Sequence, residues 1–156
     1  MKALREMDAR LLKSIGSTME QVAGQGGVVC ALGCTECCRG EFEITALDAW
    51  RLREGLRTLE EVDPARAARV KARAEVETGE DGMCPALDPE SGGCDLYEAR
   101  PVTCRTFGPA TRTVAGGVAA CELCYAGWPD EKVAARAAEV DPEGREAALI
   151  EELEAQ

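Results

Sequence analysis

A chain of 156 residues has room for one ordinary domain, but its two Trp, two Tyr and two Phe make a thin aromatic core. The formal net charge of −11 argues against nucleic acid as a partner, because a phosphate backbone calls for a basic surface. Nine cysteines and no histidine point to bound metal as a second source of stability, and remove the most usual general base.

The N-terminal segment MKALREMDARLLKSIGSTMEQV has no unbroken apolar stretch, so neither a signal peptide nor a membrane span is expected. A cytoplasmic location follows, and there clustered thiols stay reduced. The spacing of Leu4, Met7, Leu11, Leu12, Ile15, Met19 and Val22 predicts a helix over 2–23. Its apolar stripe faces either the core or a second copy of the chain, the latter making a homodimer. Gly24, Gly26 and Gly27 end this helix. A phosphate-binding reading of that run fails, because no strand precedes it and no Lys-Ser/Thr pair follows.

Glu41 to Ile44 alternates like a short strand. Thr45 reads as a helix cap with Asp48 as its capping-box partner. The helix it opens runs to about Glu60, with Leu47, Trp50, Leu56 and Leu59 inward. Asp63-Pro64 starts another helix, which runs to about Glu77. Residues 79–128 are broken up by Gly and Pro into short strands and turns. Helix resumes at Asp130, Asp141-Pro142 restarts it, and Leu149, Ile150 and Leu153 face inward on the last stretch.

The chemistry lies in the cysteines. Cys30, Cys34, Cys37 and Cys38 fall within nine residues, and Cys84, Cys94, Cys104, Cys121 and Cys124 follow. Soft thiolates suit zinc, iron–sulfur clusters and copper(I), whereas calcium and magnesium want oxygen. On a helix the first four would span an arc of roughly 100°. A loop serves equally well, since C-x-x-C is a usual metal knuckle, and Gly33 favours at least a partial loop. Adjacent Cys37 and Cys38 suggest two neighbouring centres or a bridging thiolate. Two four-thiolate sites need eight ligands, so one of Cys121 and Cys124 is in surplus.

A disulfide framework fits less well, because an odd count leaves one thiol over and neighbours such as Cys37 and Cys38 cannot readily bridge. A thioredoxin-like role for Cys121 and Cys124 lacks its βαβ context. Arg39, Arg100 and Arg105 stand beside cysteines, where positive charge would lower thiol pKa values.

The runs C-A-L-G-C-T-E-C-C-R from Cys30, C-P-A-L-D from Cys84, and C-D-L-Y-E-A-R-P-V-T-C-R-T-F from Cys94 to Phe107 resemble the YkgJ-type cysteine-cluster (CxxCxxCC) family of zinc- or iron-chelating domains. The resemblance covers about residues 30–125. It maps Cys30, Cys34, Cys37, Cys38, Cys84, Cys94 and Cys104, with one of Cys121 and Cys124, onto the family's cysteines. Three residues separate Cys30 from Cys34 where the family name has two. Tyr97, Arg100, Pro101, Arg105 and Phe107 match its framing residues. In that frame Tyr97 and Phe107 would shield the site, Pro101 would fix a turn, and the arginines would offset thiolate charge. A related cysteine motif in flagellin lysine methylases is associated with an iron–sulfur cluster.

The expected fold is mostly α with a loop-rich, metal-stapled cysteine core and minor β. It is one small domain over 1–156, made of an N-terminal helix (1–24), a cysteine-cluster region (30–125) and C-terminal helices (129–156). The expected function is binding of zinc or iron, with no membrane or nucleic-acid partner. The alternative is an iron–sulfur redox or protein-modifying enzyme, or its electron-transfer accessory. Metal trafficking is a third reading.

Overall fold

Apolar residues recurring at three- and four-residue steps form the first helix, α1 (Lys2–Gly24). Leu4, Leu11, Ile15, Met19 and Val22 are buried within the chain itself, so this face is spent on its own core. The stripe is narrower than its sequence suggests: Met7 is 38% exposed, while the Asp8 side of the helix is buried. The computed structural model describes residues 2–40, 43–76 and 82–155. Those residues form two compact units, with residues 1–30 and 105–156 in the first and residues 31–104 in the second.

In the first unit α1 packs against the last helix, α6 (Arg145–Glu154). Arg145 Nη2 donates to Ser14 Oγ at 3.0 Å across that pair. Leu149 is buried, while Ile150 and Leu153 are half-buried. The Asp141-Pro142 pair does not open this helix at once. Gly144 adopts φ +66°, a left-handed conformation that glycine tolerates best, so the helix begins only at Arg145. Asp141 still acts as a cap from a distance, accepting the Glu146 N–H at 2.7 Å. A short helix α5 (Asp130–Ala134) and a hairpin of β1 (Thr111–Arg112) with β2 (Val118–Ala119) complete the unit. The hairpin is the minor β component.

The second unit is built on α2 (Ala46–Val62) and α3 (Pro64–Ala74), which pack on each other. Thr45 Oγ1 caps α2 by accepting the Asp48 N–H, and the Asp63 carboxylate caps α3 by accepting the Arg66 N–H. The expected capping-box partner Asp48 is committed elsewhere. Its Oδ1 accepts from Arg51 Nη1 at 2.6 Å and from the Val102 N–H at 3.1 Å, so a buried carboxylate holds the first residue of α4 (Val102–Thr106). Leu59, Ala67, Val70, Ala86 and Leu96 form the core, with Cys84 and Cys94 packed against it. α2 runs past Glu60 to Val62, and α3 ends at Ala74 rather than near Glu77. Of the strand expected over 41–44, Glu41 and Phe42 lie outside the described residues, as does Glu77, and Glu43 and Ile44 are not in a strand.

From residue 82 on, the Gly- and Pro-rich stretch folds as turns, a 3-10 turn at Tyr97–Ala99, the short α4 and the hairpin. No helix among the described residues is long and apolar enough to cross a membrane.

Gly55 sits inside α2 where a Cβ would lie 2.2 Å from the Ala99 Cβ. Alanine there would gain about 1 kcal/mol of helix propensity but meet an overpacking cost of about 1–3 kcal/mol. Gly55→Ala is therefore expected to lower the melting temperature, and an unchanged or higher one would refute the close approach. Asp48→Ala removes the carboxylate from an Arg51 side chain that is only 2% exposed. A loss of about 3–5 kcal/mol in denaturant unfolding is expected, as for one partner taken from a buried ion pair.

Candidate metal centre

Six cysteines belong to the second unit: Cys34, Cys37, Cys38, Cys84, Cys94 and Cys104. The first three lie on a loop that closes in a 3-10 turn at Glu36–Cys38, so the helical reading of the first cluster does not hold. That turn brings Cys37 Sγ and Cys38 Sγ to 3.9 Å of each other. Two thiolates on one tetrahedral ion with metal–sulfur bonds of about 2.3 Å stand about 3.8 Å apart. The neighbouring pair therefore has the spacing that a single ion needs.

Backbone pairing brings the next two segments to this turn. The Cys84 N–H donates to the Cys38 carbonyl at 2.8 Å, and Arg39 bridges Met83 in antiparallel fashion. A tight turn follows, with the Leu87 N–H on the Cys84 carbonyl at 2.9 Å. Leu87 then bridges Cys94, and the Asp95 N–H donates to the Ala86 carbonyl at 2.7 Å. Cys104 arrives on α4, whose start is held by Asp48. The Cys34 loop lies close to the same turns, since a Cβ on Gly92 would stand 3.0 Å from the Gly33 Cα.

The electrostatics record how close these thiols are. Burial pushes the Cys38 thiol up to about 12, and Cys37, Cys84 and Cys94 add to the shift. Burial likewise lifts Cys104 to about 11, helped by Cys37, Cys84 and Cys94 and opposed by Arg100. Cys94 is raised by burial, against a hydrogen bond from the Leu96 N–H and the charge of Arg100. Cys38, Cys94 and Cys104 thus each feel the charge of cysteines on other stretches of chain. All the donors are soft sulfur, which suits zinc or iron better than a hard cation. Among the described residues no three Cys, Asp or Glu side chains stand at metal-holding geometry. The thiols are gathered but not closed into a cage. Cys84 also lines a cavity of about 440 Å³, together with Val76, Met83, Pro85, Leu87 and Pro89.

The framing residues divide. The Arg100 guanidinium lies 3.6 Å over the Tyr97 ring and lowers the Cys94 and Cys104 pKa values, as its charge leads one to expect. Tyr97 is 55% exposed, and its ring carries Arg100. Arg39 pairs with Glu36 at 3.5 Å. Pro101 is buried immediately before α4. Phe107 packs in the first unit against Ala110, Cys121, Cys124 and Tyr125.

Cys30, Cys121 and Cys124 belong to that first unit. Cys121 and Cys124 are buried in its apolar cluster, and the Cys124 N–H closes a turn on the Cys121 carbonyl at 2.9 Å. Cys30 is exposed and lies against Gly108, whose carbonyl accepts the Cys121 N–H at 3.1 Å.

Sequence reasoning did not single out Arg66, Arg73 or Asp95. Asp95 is only 2% exposed in its side chain and holds both arginines. The available signal was the seven-residue step from Arg66 to Arg73, two helical turns along one face of α3, and the acid placed directly after Cys94.

Residues 29–132 match the family model CxxCxxCC, described as "Putative zinc- or iron-chelating domain". No curated protein and no solved structure gave a match.

Gly108 adopts φ +113°, and a Cβ there would stand 2.5 Å from Cys30 Sγ. Gly108→Ala is expected to displace the Cys30 side chain and loosen the Cys121 turn, at a backbone cost of about 1–3 kcal/mol. Faster alkylation of Cys121 in metal-free protein, read by mass spectrometry, checks this. An unchanged rate would refute it.

Proposed function

The chain belongs to the CxxCxxCC family, and on that premise we propose that it is a metal-chelating protein whose zinc or iron is held by Cys37, Cys38, Cys84, Cys94 and Cys104, with Cys34 in reach on the same loop. The observation that carries this reading is the meeting of these cysteines: the Cys37 and Cys38 sulfurs stand 3.9 Å apart, the Cys84 N–H donates to the Cys38 carbonyl, and Cys94 pairs with Leu87. Each of Cys38 and Cys104 is pushed up by three other cysteines, in a chain without histidine to share the ligation. Bound zinc would supply folding free energy to the loops, and bound iron would add electron-transfer chemistry.

The chain's own part is to bring like charges together. Backbone bonds set Cys38 beside Cys84, and the 3-10 turn aims Cys37 and Cys38 to one side. Arg100 supplies positive charge that favours the thiolates of Cys94 and Cys104. The reading calls for a reducing, cytoplasmic setting, where these thiols stay unpaired. A second reading, an iron–sulfur centre serving redox or protein-modifying chemistry, draws support from the number of thiols. Five are one more than a tetrahedral ion takes.

The test is elemental analysis with a visible spectrum, on protein purified without oxygen. Zinc without colour supports the first reading, and iron with sulfide and brown colour supports the second. Cys37→Ser and Cys104→Ser are each expected to lower both bound metal and melting temperature. Wild-type metal content in both variants would sink the ligand assignment. Metal loss in Cys121→Ser or Cys124→Ser as well would extend the ligand set to the first unit.

A further inference from the structure

The helix α3 carries no cysteine, yet it is tied to two of the cysteine segments through one guanidinium. Arg73 Nε donates to the carbonyl of Pro85, the residue after Cys84, at 2.7 Å. Arg73 Nη2 donates to Oδ2 of Asp95, the residue after Cys94, at 2.5 Å. Arg66, two turns earlier on α3, donates from Nε to the other oxygen of the same carboxylate. A carboxylate this buried needs such partners, and both of its oxygens are taken. A guanidinium is a rigid planar fork, so two bonds from one Arg fix the separation of the groups that accept them.

We propose that Arg73 and Asp95, steadied by Arg66, are positioning residues of the metal centre, which set the spacing of the Cys84 and Cys94 sulfurs. The inference rests on the reading that these two cysteines are ligands. The two backbone links already described, Leu87 with Cys94 and Asp95 with Ala86, join the loops to each other. They do not tie the loops to a regular element. Arg73 does, because α3 is itself packed on α2. The spacing of two donors on irregular turns is thereby referred to a helix pair.

A purely structural clip would make the same bonds and move only the melting temperature. A positioning role also moves the metal's ligand field. The probe is cobalt(II), loaded into the full chain under reducing conditions, with affinity read by competition against a chromophoric chelator. Arg73→Lys replaces the fork by a point charge that cannot hold Pro85 and Asp95 in the same geometry. Asp95→Asn keeps the shape and loses an acceptor oxygen with the charge. Each is expected to weaken cobalt binding about 10- to 100-fold, the usual effect of losing a group that orients ligands, and to shift the d–d bands while far-ultraviolet dichroism stays unchanged. Arg57→Ala, which breaks only an exposed pair with Glu54 and Glu61, is expected to change neither. Wild-type affinity and bands in Arg73→Lys overturn the proposal, whatever happens to the melting temperature and whether or not Asp95→Asn folds. Wild-type bands in both Cys84→Ser and Cys94→Ser would instead overturn the ligand reading, so the two failures are distinguishable.

Discussion

Thiolates repel one another, and a fold that gathers them needs something other than the thiols to hold them. In this chain the backbone supplies much of it. The hydrogen bond from Cys84 to the Cys38 carbonyl joins segments 46 residues apart, and the pairing of Leu87 with Cys94 adds a third segment to the line. Burial raises the pKa of the Cys38, Cys94 and Cys104 thiols, and the neighbouring Cys37 and Cys84 add to the rise. Neutral thiols tolerate that crowding. A bound cation would reverse its sign, drawing the same sulfurs together as thiolates.

The loops contain little regular secondary structure, since glycine and proline punctuate them. The helix pair α2 and α3 gives them a frame. Gly55 removes a side chain so that the Tyr97–Ala99 turn can lie directly on α2. Asp48 reaches from α2 to the first N–H of α4, the helix that carries Cys104. Asp95 and its two arginines make the corresponding link from α3. Polar groups buried in this second unit thus act at the borders of the thiol cluster, where apolar packing by itself has little directional content.

The three thiols of the first unit live in other surroundings. Cys121 and Cys124 share an apolar cluster with Ala110 and Tyr125, where a thiol also serves as a small hydrophobe. The Tyr125 hydroxyl accepts the Ala110 N–H at 3.0 Å, which keeps that buried pair satisfied. Trp128 stands at the edge of the same cluster, with the Lys132 ammonium 3.7 Å over its ring. A C-x-x-C spacing is the same in both units, and its chemistry depends on what surrounds it.

The sequence by itself determined the local structure and the class of ligand. Three- and four-residue apolar spacing placed α1, Thr45 and Asp63 placed the starts of α2 and α3, and the cysteine runs with no histidine pointed to soft-metal chemistry. These are properties of neighbours along the chain, which is why they were legible. One misreading was settled from a distance, where Asp48 left its capping box for Arg51 and the far Val102; the other was local, where Gly144 in a left-handed conformation delayed α6 past Asp141-Pro142. Only the tertiary structure decided which cysteines meet. Cys38, Cys84 and Cys94 come together through backbone bonds between distant loops, and the Arg66–Asp95–Arg73 contact depends on how α3 faces them. No spacing rule encodes such pairings, because a loop's partners are set by the elements that carry it and not by its own residues.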